Sequence, residues 1–276
     1  MFQDQGASEM LERSVRDAPL SVRHRPEKTK FWVLGVGVNA VQIPDVVAQM
    51  ERWISERGTC HFIAVTGMHG VTEAHREPSF KHVLNSADMV VPDGMPIVWL
   101  GRWHGYPLKR RVYGPELMQS FCQDTSSKYR HFFYGGIPGV PTLLAKTLQE
   151  KHGINVAGIY SPPFRMLSKE EDQEVVALIN AAKPDVLWIG LSTPKQERWM
   201  YEHRATLRVP VVIGVGAAFD LNSGRFRQAP RWMRERGLEW LFRLMQEPRR
   251  LWRRYLIYGS EFVLNVTAEL LFLRRF

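Results

Sequence analysis

The sequence predicts an α/β protein with a Rossmann-like, mostly parallel sheet, helices on both faces and a C-terminal helical appendage. Short apolar runs alternate with helical stretches through about six units, which is typical of a parallel sheet buried between helices. From Gln228 onward Trp, Arg and Leu recur at helical spacing, with breaks at Gly237 and Pro248. We therefore divide the chain into a flexible leader (1–30), an α/β domain (31–227) and an Arg-rich helical appendage (228–276).

The strands are predicted from apolar runs that end at turn-forming residues. They cover 31–34, 60–65, 89–91, 131–134, 154–160, 185–190 and 209–215. Helices are predicted over 44–57, 141–152 and 168–182, and the last of these begins with a capping box at 168–171. Gly35 and Gly37 follow the first strand like part of a dinucleotide-binding turn, but the third glycine of that fingerprint is missing.

Composition limits the compartment and rules out several kinds of site. The 276 residues are 45% hydrophobic, which is enough for one large core or two modest ones. Cys60 and Cys122 lie far apart without metal-binding spacing, so we expect neither a disulfide nor a zinc site. We therefore expect the protein to reside in a reducing compartment. The N-terminus does not resemble a signal peptide, and no uncharged apolar run is long enough to span a bilayer. We expect a cytoplasmic protein, at most lying against the membrane.

Positive charge is concentrated at the C-terminal end. Residues 225–276 contain twelve arginines and five glutamates, and so carry +7 of the formal net charge of +9. An anionic partner should therefore meet this region, and nucleic acid, a phospholipid surface and a phosphorylated ligand are the candidates. The aromatic and leucine-rich character of the region and its lack of lysine favour the last two over nucleic acid.

Three polar side chains, Thr66, Asp93 and Gln196, follow predicted strands. A parallel sheet brings its strand ends to one edge, which is where open α/β sheets bind ligands. Each residue also has a purely structural interpretation: Thr66 as a helix cap, Gln196 as a surface residue and Asp93 as a turn former in Pro-Asp-Gly. Asp220, after the last strand, is equally well a turn residue or a ligand contact.

The sequence predicts no catalytic metal. It contains no Asp-x-Asp pair to hold a divalent ion on a diphosphate, and His69, His75 and His82 are better explained as a solvated helix face. Arginines then become the natural partners for phosphate. The appendage supplies five of them, although they could equally form a solvated or lipid-facing surface: Arg243, Arg249, Arg250, Arg253 and Arg254.

The last helical stretch has the composition of an interfacial helix. Residues 252–276 mix aromatics and leucines with arginines, while Glu261 and Glu269 argue against a membrane-spanning role. A helix lying on anionic lipid fits this composition better.

Several motifs resemble those of the WecG/TagA/CpsF glycosyltransferases, in order from about Phe31 to Tyr255. They are VPDG at 91–94, YGG at 134–136, PKQE at 194–197, GVGAAFD at 214–220, APRW at 229–232 and GLEW at 237–240, followed by Arg243. The resemblance implies an inverting enzyme without a cofactor. It would transfer a sugar from a nucleotide-diphosphate donor, such as UDP-N-acetylmannosamine, to a polyprenyl-diphosphate-linked sugar in cell-surface or exopolysaccharide synthesis.

The resemblance also assigns roles in the α/β domain. Asp93 matches the proposed general base, Thr66 a threonine of the pocket, Gln196 a glutamine near the donor diphosphate and Asp220 a pocket aspartate. Many members have Thr-x-Asn where this chain has Met68 as the third residue. Met68 thus replaces a polar pocket residue, and the identity of the transferred sugar stays open.

In the appendage, Arg243, Arg250 and Arg253 resemble arginines thought to close over the site at the membrane. The resemblance therefore implies a peripheral protein on the inner face of the cell membrane, with an anionic lipid surface as a partner. The alternative of another class is a non-catalytic protein that binds nucleotide or anionic lipid on the same scaffold. It would bind these ligands without transferring any sugar.

Overall fold

The structure, a computed structural model, describes residues 29–271 and begins with an antiparallel hairpin. Its strands are β1 (Lys30–Val33) and β2 (Val36–Asn39). Leu34 and Gly35 form the turn with φ of 50° and 80°, the left-handed pair that a two-residue hairpin turn needs. Gly35 and Gly37 therefore belong to a hairpin outside the main sheet, which agrees with the incomplete dinucleotide-binding fingerprint in the sequence.

The main sheet has six parallel strands in the order β4-β3-β8-β7-β5-β6. The strands are β3 (His61–Thr66), β4 (Met89–Pro92), β5 (Arg130–Gly135), β6 (Asn155–Tyr160), β7 (Val186–Gly190) and β8 (Val211–Gly214). All six fall on predicted apolar runs. The parallel arrangement brings the ends of β3, β4, β7 and β8 to one edge, as the sequence predicted.

Helices cover both faces of this sheet. In the first part of the chain they are α1 (Ile43–Glu56), α2 (Met68–Arg76), α3 (Pro78–Asn85), α4 (Met95–Trp103), α5 (Gly114–Thr125), α6 (Val140–His152), α7 (Lys169–Ala182), α8 (Lys195–His203) and α9 (Ala218–Asn222). Alternate residues of β3 enter two separate cores, Phe62 and Ala64 on one face and Ile63 and Val65 on the other. The prediction of a sheet buried on both faces is confirmed.

The C-terminal region is helical, as predicted. It contains α10 (Arg231–Glu235), α11 (Glu239–Gln246), α12 (Pro248–Trp252), a π-helical turn (Arg253–Ile257) and α13 (Tyr258–Leu270). The boundary of this region at residue 228 stays a prediction, and all but the last two residues of the predicted leader lie outside the described chain. No helix within 29–271 has both the length and the apolar character needed to cross a membrane.

Helix α13 packs against α2 through apolar contacts and an ion pair. Phe262 and Val266 are buried in the same core as residues of α2. Glu261 accepts two hydrogen bonds from the guanidinium of Arg76, and Glu269 accepts one from the backbone N–H of Leu34 at 3.2 Å. The two glutamates that argued against a spanning helix thus attach α13 to the α/β domain.

Replacing Phe262 with alanine is expected to lower the free energy of unfolding by about 3–5 kcal/mol, because the ring is only 3% exposed. Denaturant unfolding followed by circular dichroism measures this. Val263, the next residue, is 58% exposed and provides the control: its replacement by alanine should change the free energy by less than about 0.5 kcal/mol. Equal effects of the two changes would contradict the packing of α13 described above.

Candidate active site

Asp93 and Thr66 lie side by side at the ends of two neighbouring strands. The backbone N–H of Asp93 donates to the carbonyl oxygen of Thr66 at 2.9 Å. Gly67 makes this approach possible, since a Cβ there would lie 2.5 Å from the Asp93 carbonyl oxygen. Met68 follows directly as the first residue of α2 and packs against the core. The structure therefore brings together three of the residues predicted from sequence.

Gln196 connects two further strand ends of the same edge. It lies in the first turn of α8, after β7, and is only 3% exposed. Its Oε1 accepts a hydrogen bond from the backbone N–H of Gly216, which follows β8, at 3.1 Å, and its Nε2 donates to Glu197 at 3.0 Å. The surface interpretation of Gln196 is therefore wrong, because its amide is buried and bridges two loops.

Glu197 is a buried carboxyl that the sequence reasoning did not single out. Its Oε1 accepts hydrogen bonds from Thr193 Oγ1 at 2.8 Å and from Gln196, while its Oε2 has no partner among the described residues. Burial raises the pKa of Glu197, and hydrogen bonds from Gln196 and Thr193 oppose that rise. Only its place in the PKQE motif hinted at this position.

The carboxyl of Asp93 is held between opposing electrostatic influences. Burial raises its pKa above the ordinary range, and the negative charge of Glu239 adds to that effect. Arg111, Arg254 and Arg243 act in the other direction, because their positive charges favour the ionised carboxylate. A carboxylate of this kind is a stronger proton acceptor than a solvated aspartate while it remains ionisable.

Arg111 and Glu239 form a buried ion pair beside Asp93. Glu239, the first residue of α11, accepts hydrogen bonds from the Arg111 guanidinium and from the Tyr113 hydroxyl. Burial opposes the charge of Arg111, but Asp93 and Glu239 together raise its pKa above the usual value. Neither residue was predicted from the sequence, although Arg111 ends a basic stretch and Glu239 lies in the GLEW motif.

The appendage arginines are not equivalent. Arg243 and Arg254 act electrostatically on Asp93, and Arg254 also acts on Glu197. Arg250 is exposed and pairs with Glu247, whereas Arg253 is exposed and lies over the ring of Trp252 at 5.4 Å.

Arg254 thus influences the pKa of carboxyls at two strand ends, although the resemblance pointed to Arg243, Arg250 and Arg253. Burial lowers the pKa of Arg254, and the positive charges of Arg243 and Arg250 lower it further. A negative ligand beside these three groups would relieve that repulsion.

Asp220 lies in α9 after β8, and β3 separates β8 from the strand that precedes Asp93. Its carboxylate pairs with Arg225 at 3.0 Å, and its backbone carbonyl accepts from the N–H of Phe226. These contacts give Asp220 a structural role within α9, and its interpretation as a ligand contact stays a prediction. They fix the position of Arg225 and Phe226, at the start of the segment that connects α9 to the C-terminal helices.

A second feature of the same edge is the crevice between β5 and β7. The chain leaves β5 toward β6 but leaves β7 in the opposite direction toward β8, so the strand order reverses here. Ligands of open α/β sheets bind at such reversals. Gly135, with φ of 121°, lets the two strand ends meet, since a Cβ there would lie 2.7 Å from the backbone of Gly190.

The histidines differ from the sequence interpretation. His69 is mostly buried, with its ring 5.0 Å from that of Tyr258, so the prediction of a solvated helix face is wrong for it. Burial lowers its pKa to about 3, helped by Arg254 and Arg76, and the ring is therefore neutral at pH 7. Within 29–271, no three or more His, Cys, Asp or Glu side chains come together as a metal-binding group.

Comparison with known proteins identifies the family of this site. The family model described as "Glycosyl transferase WecG/TagA/CpsF family" matches residues 31–276. The chain belongs to this family. It is accordingly a glycosyltransferase, and the resemblance drawn from the VPDG, PKQE and GLEW motifs is confirmed.

Curated relatives carry one activity in their names. A protein of Bacillus spizizenii named N-acetylglucosaminyldiphosphoundecaprenol N-acetyl-beta-D-mannosaminyltransferase is 31% identical over 220 residues, covering 78% of this chain and 82% of that protein. Proteins of the same name from Staphylococcus aureus, strains MW2 and COL, are 25% identical over 235 residues, covering 85% of this chain and 91% of each relative.

Proposed function

We propose that this enzyme transfers a sugar, with inversion and without a metal, from a nucleotide-diphosphate donor to a polyprenyl-diphosphate-linked sugar. The relatives' names favour UDP-N-acetylmannosamine as the donor and an N-acetylglucosaminyl-diphospholipid as the acceptor. The observation that carries the mechanism is the half-buried Asp93 carboxyl at the sheet edge, whose pKa is raised by desolvation and lowered by nearby arginines. Capsule, exopolysaccharide or another cell-surface polymer would be the destination of the product.

Asp93 acts as the general base in this proposal. The acceptor hydroxyl gives its proton to the carboxylate while its oxygen attacks the anomeric carbon of the donor sugar. The bond from that carbon to the diphosphate oxygen breaks on the opposite face, so the configuration inverts in one displacement. Burial that raises the pKa of Asp93 helps it to take the proton.

Cationic side chains would stabilise the departing nucleotide diphosphate as its negative charge grows. Arg243 and Arg254 approach Asp93 from the C-terminal helices, and the Gln196 amide lies at the edge of the same site. Thr66 and Met68 would contact the substrate at the end of β3. Arg250 and Arg253, exposed on the appendage, would meet the phosphates only if α12 and the π-helical turn move.

The C-terminal helices would also hold the enzyme on the cytoplasmic face of the membrane. Large apolar side chains of this region are exposed beside its arginines, among them Trp252, Leu256, Ile257, Val263 and Leu264. Apolar groups next to cations are the composition of a surface that lies on anionic lipid. Docking there would place the site next to a lipid-linked acceptor.

A donor screen tests the proposal. The purified protein is incubated with N-acetylglucosaminyl-diphospho-undecaprenol and, in turn, with UDP-N-acetylmannosamine, UDP-N-acetylglucosamine and UDP-glucose, and UDP release is measured with and without a chelator. We expect turnover with one donor, unaffected by the chelator. Nucleotide or vesicle binding without transfer from a broad donor panel would instead support the non-catalytic alternative.

A further inference from the structure

A cavity of about 330 Å³ lies between α4, α5, α10 and the loop that joins α4 to α5. Met95 and Trp99 of α4 line one side of it, and Arg234 of α10 lines another. The chain between α10 and α11 closes over α4, because a Cβ at Gly237 would lie 3.2 Å from Met95 Cβ and 3.8 Å from the Trp99 ring. The C-terminal helices therefore complete the cavity.

The wall of the cavity is strongly cationic. Five positively charged residues line it against a single carboxylate, Glu116: they are Arg102, Lys109, Arg110, Arg111 and Arg234. Glu116 is already engaged, by Arg234 at 2.7 Å and by Arg110 at 3.5 Å. The Nε of Arg234 is buried and has no hydrogen-bond partner among the described residues.

Two of these cations, Arg102 and Lys109, have no carboxylate partner among the described side chains. Arg102 donates to the backbone carbonyls of Leu108 and Lys109, each at 2.7 Å, and these contacts fix the loop without neutralising the guanidinium. Across the described residues no carboxylate forms an ion pair with Arg102 or Lys109. The excess charge favours a ligand with several negative charges, and a diphosphate has the right chemistry.

Exposed aromatic side chains continue along α4 from Trp99, which lines the cavity. Trp99 is 52% exposed and Trp103 is 74% exposed, one helical turn apart on α4. Exposed tryptophans next to cations are typical of surfaces at the boundary between water and lipid. An anion carried on an apolar chain therefore fits this place better than a nucleotide.

The cavity lies next to Asp93, the proposed general base. Arg111 lines it and also acts on Asp93, while Met95 lies two residues after Asp93. Because the reacting hydroxyl of the acceptor is on the sugar attached to its diphosphate, that diphosphate must bind close to the base but apart from the donor.

We propose that this cavity binds the diphosphate of the polyprenyl-linked acceptor, with its isoprenoid chain running along Trp99 and Trp103. The inference rests on the proposed function for the identity of the lipid. It separates the acceptor from the donor, whose diphosphate would lie with Arg243 and Arg254. The two phosphate groups thus contact different arginines.

Direct binding tests the cavity without requiring turnover. Isothermal titration calorimetry with farnesyl diphosphate should show binding to the full-length protein, and excess UDP should not displace it. The Lys109→Gln/Arg110→Gln variant should bind at least about tenfold more weakly, because both side chains are exposed cations of the wall. Lys146→Gln/Lys151→Gln, which removes two exposed cations from α6, is the matched control and should bind normally.

Kinetics and vesicle binding separate the remaining outcomes. In the transfer assay, Lys109→Gln/Arg110→Gln should raise the KM for acceptor about tenfold and leave the KM for donor within twofold. Competition between UDP and farnesyl diphosphate would overturn the proposal, as would absence of farnesyl diphosphate binding in an active enzyme. Loss of binding to phosphatidylglycerol vesicles with unchanged farnesyl diphosphate affinity would also overturn it. Farnesyl diphosphate binding in a protein inactive with every donor would refute the proposed function and leave the cavity assignment standing.

Discussion

Replacing Asp93 with asparagine is expected to lower kcat for sugar transfer by about a thousandfold, within the range that a general base contributes. The amide keeps the shape of the carboxyl but cannot accept the proton of the acceptor hydroxyl. Turnover of donor and lipid-linked acceptor measures the effect. We expect the variant to stay folded, because burial already disfavours the ionised carboxyl that the change removes.

The pH dependence of the wild-type enzyme should report the same group. Since burial raises the pKa of Asp93, transfer should decline as the pH falls through that raised value, while an ordinary aspartate would stay ionised at the same pH. Asp124→Asn, an exposed aspartate of α5, is the control and should leave both the rate and the profile unchanged. A variant at Asp93 with near-normal turnover would remove it as the base.

Replacing Arg254 with glutamine is expected to lower kcat by about a hundredfold or more, a loss typical of a group that stabilises developing charge. Its guanidinium acts on both Asp93 and Glu197, and the nucleotide diphosphate would leave beside it. The acid limb of the pH–rate profile should also shift to higher pH. That shift follows because losing the cation raises the pKa of Asp93 further.

Arg253 is the matched control for this change. It is the preceding residue in the same π-helical turn, but it is exposed and lies over Trp252. Arg253→Gln should reduce kcat several-fold at most and leave the pH profile in place, with its main effect on vesicle binding. A larger loss at Arg253 than at Arg254 would show that the helices rearrange when the enzyme binds its substrates.

The parallel sheet could be predicted because its strands are buried on both faces and therefore read as continuous apolar runs. The N-terminal hairpin, in contrast, could not be distinguished from a strand of the main sheet by its apolar pattern. Val36–Asn39 is short and apolar like the other strands, and only its turn at Leu34 and Gly35 directs it back along β1. Local sequence does not state which partner a strand will pair with.

The candidate site also contains some residues that could be predicted from the sequence and others that could not. Thr66, Asp93 and Gln196 were predictable because each follows a strand, and parallel strands end at one edge. Arg111 and Glu239 were not, since they are 128 residues apart and form their ion pair only when α11 folds against the α/β domain. An isolated arginine or glutamate in a sequence carries no sign of such a distant partner.

By itself the sequence determined the sheet, the edge at which the candidate site residues meet, the cationic C-terminal helices and the family. Apolar periodicity, turn residues, net charge and ordered motifs are local properties that a chain displays without folding. Tertiary structure alone decided that Arg254 approaches Asp93 and that Arg111, Lys109 and Arg234 enclose one cavity. The physical reason is that ionisable groups from distant segments shift each other's pKa values only when folding brings them within a few ångströms of each other, away from solvent. Cationic side chains likewise form a phosphate-binding site only when folding brings them together.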